Sequence, residues 1–188
     1  SFAPQGENDI ALDLDLNIRQ MQLSTVEGVF GEMIKNASGA VNGNISINGT
    51  ASQPKINGPL NFDKASFATT VLGSQFKIDG EKINVTENGF HFDDFVIKDT
   101  ANNELKLNGT IQTPNFLNYN FDFDLNATNF QLLNTTKKDN KIYYGKMVIT
   151  SNLHVGGTEA TPDIDGNITV NDGTDLSVVI PQREPGVV

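Results

Sequence analysis

Gly49-Thr50-Ala51-Ser52-Gln53-Pro54-Lys55-Ile56-Asn57-Gly58 and Gly157-Thr158-Glu159-Ala160-Thr161-Pro162-Asp163-Ile164-Asp165-Gly166 are one pattern, G-T-x-x-x-P-x-I-x-G, written twice without a gap. A degraded third copy runs from Gly109-Thr110 through Pro114 to Phe116, with Asn118 in place of the last glycine. Upstream of each Gly-Thr lies an alternating segment: Asn44-Ile45-Ser46-Ile47-Asn48, Glu104-Leu105-Lys106-Leu107-Asn108 and Ser151-Asn152-Leu153-His154-Val155. Another follows each full copy, Pro59-Leu60-Asn61-Phe62 and Asn167-Ile168-Thr169-Val170. Proline lacks the N–H that a ladder needs, so it belongs in the turn or at a strand's first position. Glycine inside an alternating strand permits a bend or a close backbone approach. Strand–turn–strand units with glycines at matched places predict a sheet that curls repeatedly in one sense. Ordinary hairpins of a β-sandwich would use the same residues.

The alternation extends along the whole chain. Ile10, Leu12, Leu14, Leu16 and Ile18 interleave with Ala11, Asp13, Asp15 and Asn17, and Phe121, Phe123, Leu125 and Ala127 with Asp122, Asp124 and Asn126. The same period of two recurs at Val41–Ile45–Ile47, Ile56–Leu60–Phe62, Leu105–Leu107–Ile111, Met147–Ile149–Leu153–Val155 and Ile164–Ile168–Val170. That is the mark of a strand with one dry and one wet face. Turn residues separate the runs at Glu87-Asn88-Gly89, Ala101-Asn102-Asn103, Lys138-Asp139-Asn140 and Asn171-Asp172-Gly173. About a dozen short strands, mainly antiparallel, follow, so the expected class is all-β. Only Leu23, Val26, Phe30, Met33 and Ile34 fall at helical spacing. With Ser24-Thr25-Val26-Glu27 as a capping box, they predict a short amphipathic helix over about 24–36 that plugs one end of the sheet.

Composition excludes several classes. Lysine and arginine number 13 against 23 acidic residues, a net charge of −10 over 188 residues. Nucleic acid is therefore no partner, and the only basic cluster is Lys137, Lys138 and Lys141. Anionic membrane surfaces are expected to be poor partners for the same reason. The absence of cysteine removes disulfides, thiol nucleophiles and thiolate zinc sites. No apolar run approaches the ~20 residues that span a bilayer. The opening Ser1-Phe2-Ala3-Pro4 reads as a cut from a larger protein, with any anchor or export signal outside it.

Candidate chemistry is sparse. Asp13/Asp15, Asp122/Asp124 and Asp163/Asp165 sit at i, i+2 opposite apolar neighbours, which puts them on the wet face, and no histidine or lysine is expected beside them for catalysis. Asp93-Asp94 reads as a turn between Phe92 and Phe95. Asp163-x-Asp165-Gly166 departs from a calcium loop because its glycine is fourth and Thr174 stands twelfth. His91 and His154 are read as isolated surface residues, without a metal triad. No G-x-S-x-G and no phosphate-binding glycine loop is present. No cofactor and no metal are expected. The sequons, among them Asn44-Ile45-Ser46 and Asn84-Val85-Thr86, fit chance in so asparagine-rich a chain, while Asp99-Thr100-Ala101 has the form of an O-glycosylation site at Thr100.

The stretch G-x-V-x-G-x-I-x-I-x-G-T-x-x-x-P-x-I-x-G from Gly39 to Gly58, with Leu60-Asn61-Phe62 and Ala65-Ser66-Phe67 after it, resembles the C-terminal region of the TamB family, relatives of the AsmA group. So do the second Gly-Thr block and Asp172-Gly173-Thr174-Asp175-Leu176 ahead of Val178-Val179-Ile180-Pro181. The resemblance implies a β-taco, a U-shaped trough of curved antiparallel sheet with an apolar interior. It further implies a periplasmic protein tethered to the inner membrane by an anchor outside this chain. The implied partners are phospholipid or other acyl chains and an Omp85-type outer-membrane barrel, and the implied role is non-enzymatic. Few arginines, Arg19 and Arg183, and many asparagines fit a Bacteroidota source. The whole chain, 1–188, reads as one segment with repeat units at about 39–67, 104–132 and 145–176. The groove lining is expected from Leu12, Leu14, Leu16, Val41, Ile45, Ile47, Ile56, Leu60, Phe62, Leu105, Leu107, Ile111, Phe121, Phe123, Leu125, Ile149, Leu153, Ile164, Ile168 and Val170. The competing reading is a closed β-sandwich that binds or adheres through its loops, although Tyr119, Tyr143 and Tyr144 are the only tyrosines to stack on sugar.

Overall fold

The computed structural model describes residues 9–30, 33–113 and 118–180. Its eleven strands form a single antiparallel sheet. In chain order they are β1 (Ala11–Gln22), β2 (Ile34–Thr50), β3 (Pro54–Thr69), β4 (Gln75–Ile78), β5 (Lys82–Thr86), β6 (Gly89–Lys98), β7 (Glu104–Gln112), β8 (Asn120–Thr135), β9 (Tyr143–Thr158), β10 (Pro162–Val170) and β11 (Asp175–Val178). The order across the sheet is β1-β2-β3-β4-β6-β7-β8-β9-β10, with β5 bridging β3 and β6, and β11 pairing with β9. One sheet thus replaces the two that a closed sandwich requires. Three of the four turn signals fall wholly between strands, and the fourth, Glu87-Asn88-Gly89, ends on the first residue of β6.

The sheet curves enough for non-neighbouring strands to meet. Phe76 on β4 stacks on Phe130 of β8, with centroids 5.4 Å apart and planes 9° from parallel. The β3–β4 loop also touches β8, through the Asn134 N–H donated to the Leu72 carbonyl at 2.8 Å. Two devices produce the curvature. First, β1, β3, β6 and β8 each carry a bulge, three residues against two on the partner: Ile18/Met21, Asp63/Ser66, Phe92/Phe95 and Ala127/Phe130. A bulge leaves one N–H without a ladder partner and increases the local twist. In three of them the unpaired residue is left-handed, at Lys64, Asp94 and Asn129. Each of those N–H groups donates to a side chain on the next strand or turn: Asp79 Oδ1 at 2.9 Å, Asn108 Oδ1 at 2.6 Å and Thr150 Oγ1 at 3.2 Å. Asp93-Asp94 therefore belongs to a bulge inside β6, not to a turn.

Second, glycine admits backbone where a side chain would stand. Gly58 and Gly166 occupy equivalent places in the two repeats and have φ of 143° and 137°. A Cβ there would lie 2.0 Å from the carbonyl oxygen of Asn44 and 2.1 Å from that of Asn152, again equivalent residues. The Gly-Thr turns match too. Thr50 N–H donates to the Gln53 carbonyl at 3.3 Å and the Thr50 carbonyl accepts the Gln53 N–H at 3.1 Å, and Thr158 and Thr161 repeat both distances. The third copy diverges, since β7 runs on past Gly109-Thr110 to Gln112. Its Pro114 and Phe116 lie outside the described residues. Gly58→Ala is expected to lose ~2–3 kcal/mol of stability, from overpacking against backbone plus a strained φ. Gly28→Ala, with nothing within 4 Å of the added Cβ, is the control and should be neutral or slightly stabilising. Urea denaturation of both variants measures the difference.

The helix expected over 24–36 is much shorter. An α-helical turn α1 (Leu23–Val26) runs into a 3₁₀ turn (Glu27–Phe30), and residues 34–36 belong to β2. The chain gains more by pairing, since Ile34 joins Thr69 on β3. The capping box does not form: no side chain caps α1. Glu27 Oε2 instead accepts the Ala37 N–H at 2.9 Å, tying the turn to β2. Leu23 is buried with Val41, Ala65, Ile78, Phe92, Phe95 and Leu107, so the segment does plug the interior.

Candidate functional site

Pairing registers show what the alternation assembles. Leu14 faces Ile47, which faces Ile56, and Leu16 faces Ile45. Leu60, Ile83 and Phe92 form a continuous rung. Leu107, Leu125 and Leu153 make another, and Phe123, Val155 and Ile164 a third. Every expected groove residue lies on this one face. The opposite face is polar: Asn17 donates to Asn44 Oδ1 at 2.7 Å, and Asn152 to Asn126.

The apolar face is not uniformly open. Val41, Ile45, Leu107 and Ile149 are buried. Leu12, Ile47, Ile56, Leu60, Phe62, Leu105, Ile111, Phe121, Phe123, Leu125 and Leu153 are half-buried. Leu14, Leu16, Ile164, Ile168 and Val170 are half or more exposed. The filled part lies over the central strands, where Phe95 meets Phe62 and Phe92 edge-to-face at 5.8 and 5.5 Å. A second cluster joins Phe76, Ala127 and Phe130. The exposed part lies at the two margins, on β1 and β10. Phe95, Phe130, Ile97 and Phe67 belong to the interior as well, beyond the bulges, where the alternation changes phase.

Two polar centres lie outside the apolar lining. Asp99, 1 % exposed, sits in the β6–β7 turn. Its Oδ1 accepts N–H groups of Ala101 at 2.8 Å and Asn103 at 2.9 Å. Its Oδ2 accepts Asn103 Nδ2 and the Gln131 N–H of β8, both at 2.9 Å. Burial opposes the charge, but these donors outweigh it and hold the carboxyl below the usual range. The aspartate of the Asp99-Thr100-Ala101 tripeptide thus has a structural task, while Thr100 is exposed.

On the polar face, His154 is not isolated. Its Nδ1 lies 3.0 Å from Asp124 Oδ1 and its Nε2 3.9 Å from Asp122 Oδ1, so the Asp122/Asp124 pair does have a histidine beside it. The hydrogen bond to Asp124, then the charges of Asp124, Asp122 and Asp163, raise its pKa above 6.5. Cross-strand register, invisible in linear spacing, makes this contact. A raised folded value means the interaction is complete below the unfolded pKa and is lost as pH climbs through the folded one. An NMR titration should find the His154 midpoint above 6.5, and Asp124→Asn should return it towards that value. Among the described residues no group of three or more histidines and carboxylates is arranged to hold a metal, and no helix is long and apolar enough to cross a membrane.

The family model described as the TamB C-terminal domain matches residues 3–89 and 93–187. The chain belongs to the TamB family. Membership fits the single curved sheet with an apolar face, and it implies a TamB-type role in outer-membrane assembly within the cell envelope. TamB proteins are transport and assembly components working with the outer-membrane assembly machinery, not known as enzymes. No curated protein and no solved structure matches the chain significantly.

Proposed function

We propose that the apolar face of this TamB segment shields or conducts phospholipid acyl chains between the inner and outer membranes, within a longer envelope protein anchored in the inner membrane and partnered by an Omp85-type barrel. The observation that carries the reading is the exposure of Leu14, Leu16, Ile164, Ile168 and Val170 on the same face as the core. A chain that leaves large apolar side chains uncovered at both margins of one face has a use for them. Each methylene laid on it gains roughly 0.8 kcal/mol, and no contact is directional, so a chain is held yet slides. Phenylalanines pack against one another over the central strands, so acyl chains ride on the exposed margins, β1 and β10. The residues about 39–67, 104–132 and 145–176 act as successive lengths of this surface.

Photocrosslinking probes at Leu16, Ile164 and Ile168, in protein purified from bacteria, should yield lipid adducts. Probes at Phe130 and Ile149, buried in packed core, and at outward Lys106 and Asn167 should not. Native mass spectrometry should show phospholipid that denaturation releases. Adducts confined to Lys106 and Asn167 would sink the reading.

A further inference from the structure

We infer that the end of the sheet formed by the β8–β9 turn, the β3–β4 loop and the start of β2 is a docking surface for a bilayer bearing anionic phospholipid. This surface is separate from the acyl-binding face and does not rest on it. A chain of backbone hydrogen bonds assembles it: Thr70 N–H to the Met33 carbonyl at 3.0 Å, Asn134 N–H to that of Leu72 at 2.8 Å, and Val179 N–H to that of Ile142 at 2.8 Å. These bonds gather large aliphatic side chains that face water: Met33 is 64 % exposed, and Val71, Ile142 and Val178 are each 63 % exposed. Lys137, Lys138 and Lys141, the one basic cluster of an acidic chain, lie in the same turn and are exposed.

The turn presents those lysines in a fixed arrangement. Asp139 Oδ2 accepts the Thr136 N–H at 2.9 Å and its hydroxyl at 2.6 Å, so the only carboxylate of the turn is engaged with the turn itself. Asn140 Oδ1 accepts the N–H groups of Ile142 and Tyr143, which fixes the exposed Ile142 where the turn enters β9. Lys35 of β2 stands close enough to add its charge to the effect of Thr136 in lowering the Asp139 pKa. Among the described residues, four lysines against one engaged carboxylate, with exposed aliphatic side chains at the same end, match a surface with negative headgroups over a shallow apolar layer. The complementarity is local. The acidic remainder of the molecule is repelled by the same surface, so the contact orients the chain with this end against the bilayer. The expectation that anionic membranes are poor partners, drawn from net charge, overlooks this segregation.

Co-sedimentation of the chain with vesicles of phosphatidylcholine, with and without a third of phosphatidylglycerol, tests the inference. Binding is expected to the mixed vesicles, to be about tenfold or more weaker with phosphatidylcholine alone, and to fall as salt rises. The triple variant Lys137→Glu/Lys138→Glu/Lys141→Glu should lose at least tenfold, and Ile142→Asp should weaken binding at unchanged net lysine count. Both changes are at exposed turn positions, and an unaltered melting temperature shows that the fold survives. Ile164→Asp/Ile168→Asp, which removes the acyl-binding margin, should bind mixed vesicles as the parent does. Equal binding to both vesicle types, no binding to either, or full binding by the triple variant would overturn the inference. Loss in Ile164→Asp/Ile168→Asp alone would assign vesicle binding to the acyl-binding face instead.

Discussion

Phe130→Ala will remove ~3–5 kcal/mol of stability, the range for truncating a buried aromatic side chain. The ring is 1 % exposed and stacks on Phe76, which in turn meets Phe67 edge-to-face at 6.0 Å. This stack spans the interior from β4 to β8, strands that share no ladder. Its loss therefore leaves a cavity and also removes a tie between distant parts of the sheet. Urea titration should give a lower midpoint. Hydrogen exchange should quicken first at the Asn134 amide, whose partner Leu72 lies on the facing loop. Ile168→Ala, on the exposed margin, should cost well under 1 kcal/mol, because its side chain is 57 % exposed.

Asp99→Ala is the second large effect, expected at ~3–5 kcal/mol, since a buried charged acceptor is removed while its donors stay buried. Asp99→Asn separates charge from shape. The amide oxygen can still serve Ala101 and Asn103, but its NH₂ then points at the Gln131 N–H, donor against donor. The carboxyl is depressed in the folded state, so its contribution is fully present above the unfolded value and is lost as pH falls through the folded one. Acid denaturation below about pH 4 should thus be partly abolished in Asp99→Asn, when each variant is compared with its own stability at pH 7. An unchanged acid limb would show that other carboxylates set it.

Much of this was legible in the alternation. The period of two placed Leu12, Ile45, Leu107, Leu153 and Ile168 on one face, and registers confirm that face strand by strand. The matched glycines announced the curl because no other residue tolerates a carbonyl 2.0 Å from a Cβ. The bulges were written in the sequence as phase slips: Ile18 to Met21, Phe92 to Phe95, Ala127 to Phe130. Each is a three-residue step in a two-residue rhythm, and in Phe92-Asp93-Asp94-Phe95 that step, not a turn, accounts for the paired aspartates. Contacts between distant strands stayed hidden. Nothing near Asp99 signals Gln131, and nothing near His154 signals Asp124. The apolar spacing at 23–34 was helical, but for residues 34–36 pairing with a neighbouring strand outweighs local propensity.

The bulge amides carry a consequence for how such a molecule lengthens. The left-handed residue lies on one strand and its acceptor on the following strand or turn: Lys64 with Asp79, Asp94 with Asn108, Asn129 with Thr150. A duplication that inserted one strand would separate donor from acceptor and reverse the direction of every strand after it. Inserting a hairpin keeps the direction of every later strand, and it keeps the donor–acceptor pairs wherever it falls outside them. Growth of this architecture by gene duplication is therefore counted in pairs of strands, and the two intact Gly-Thr hairpins, β2–β3 and β9–β10, are the form in which such a pair would be inherited.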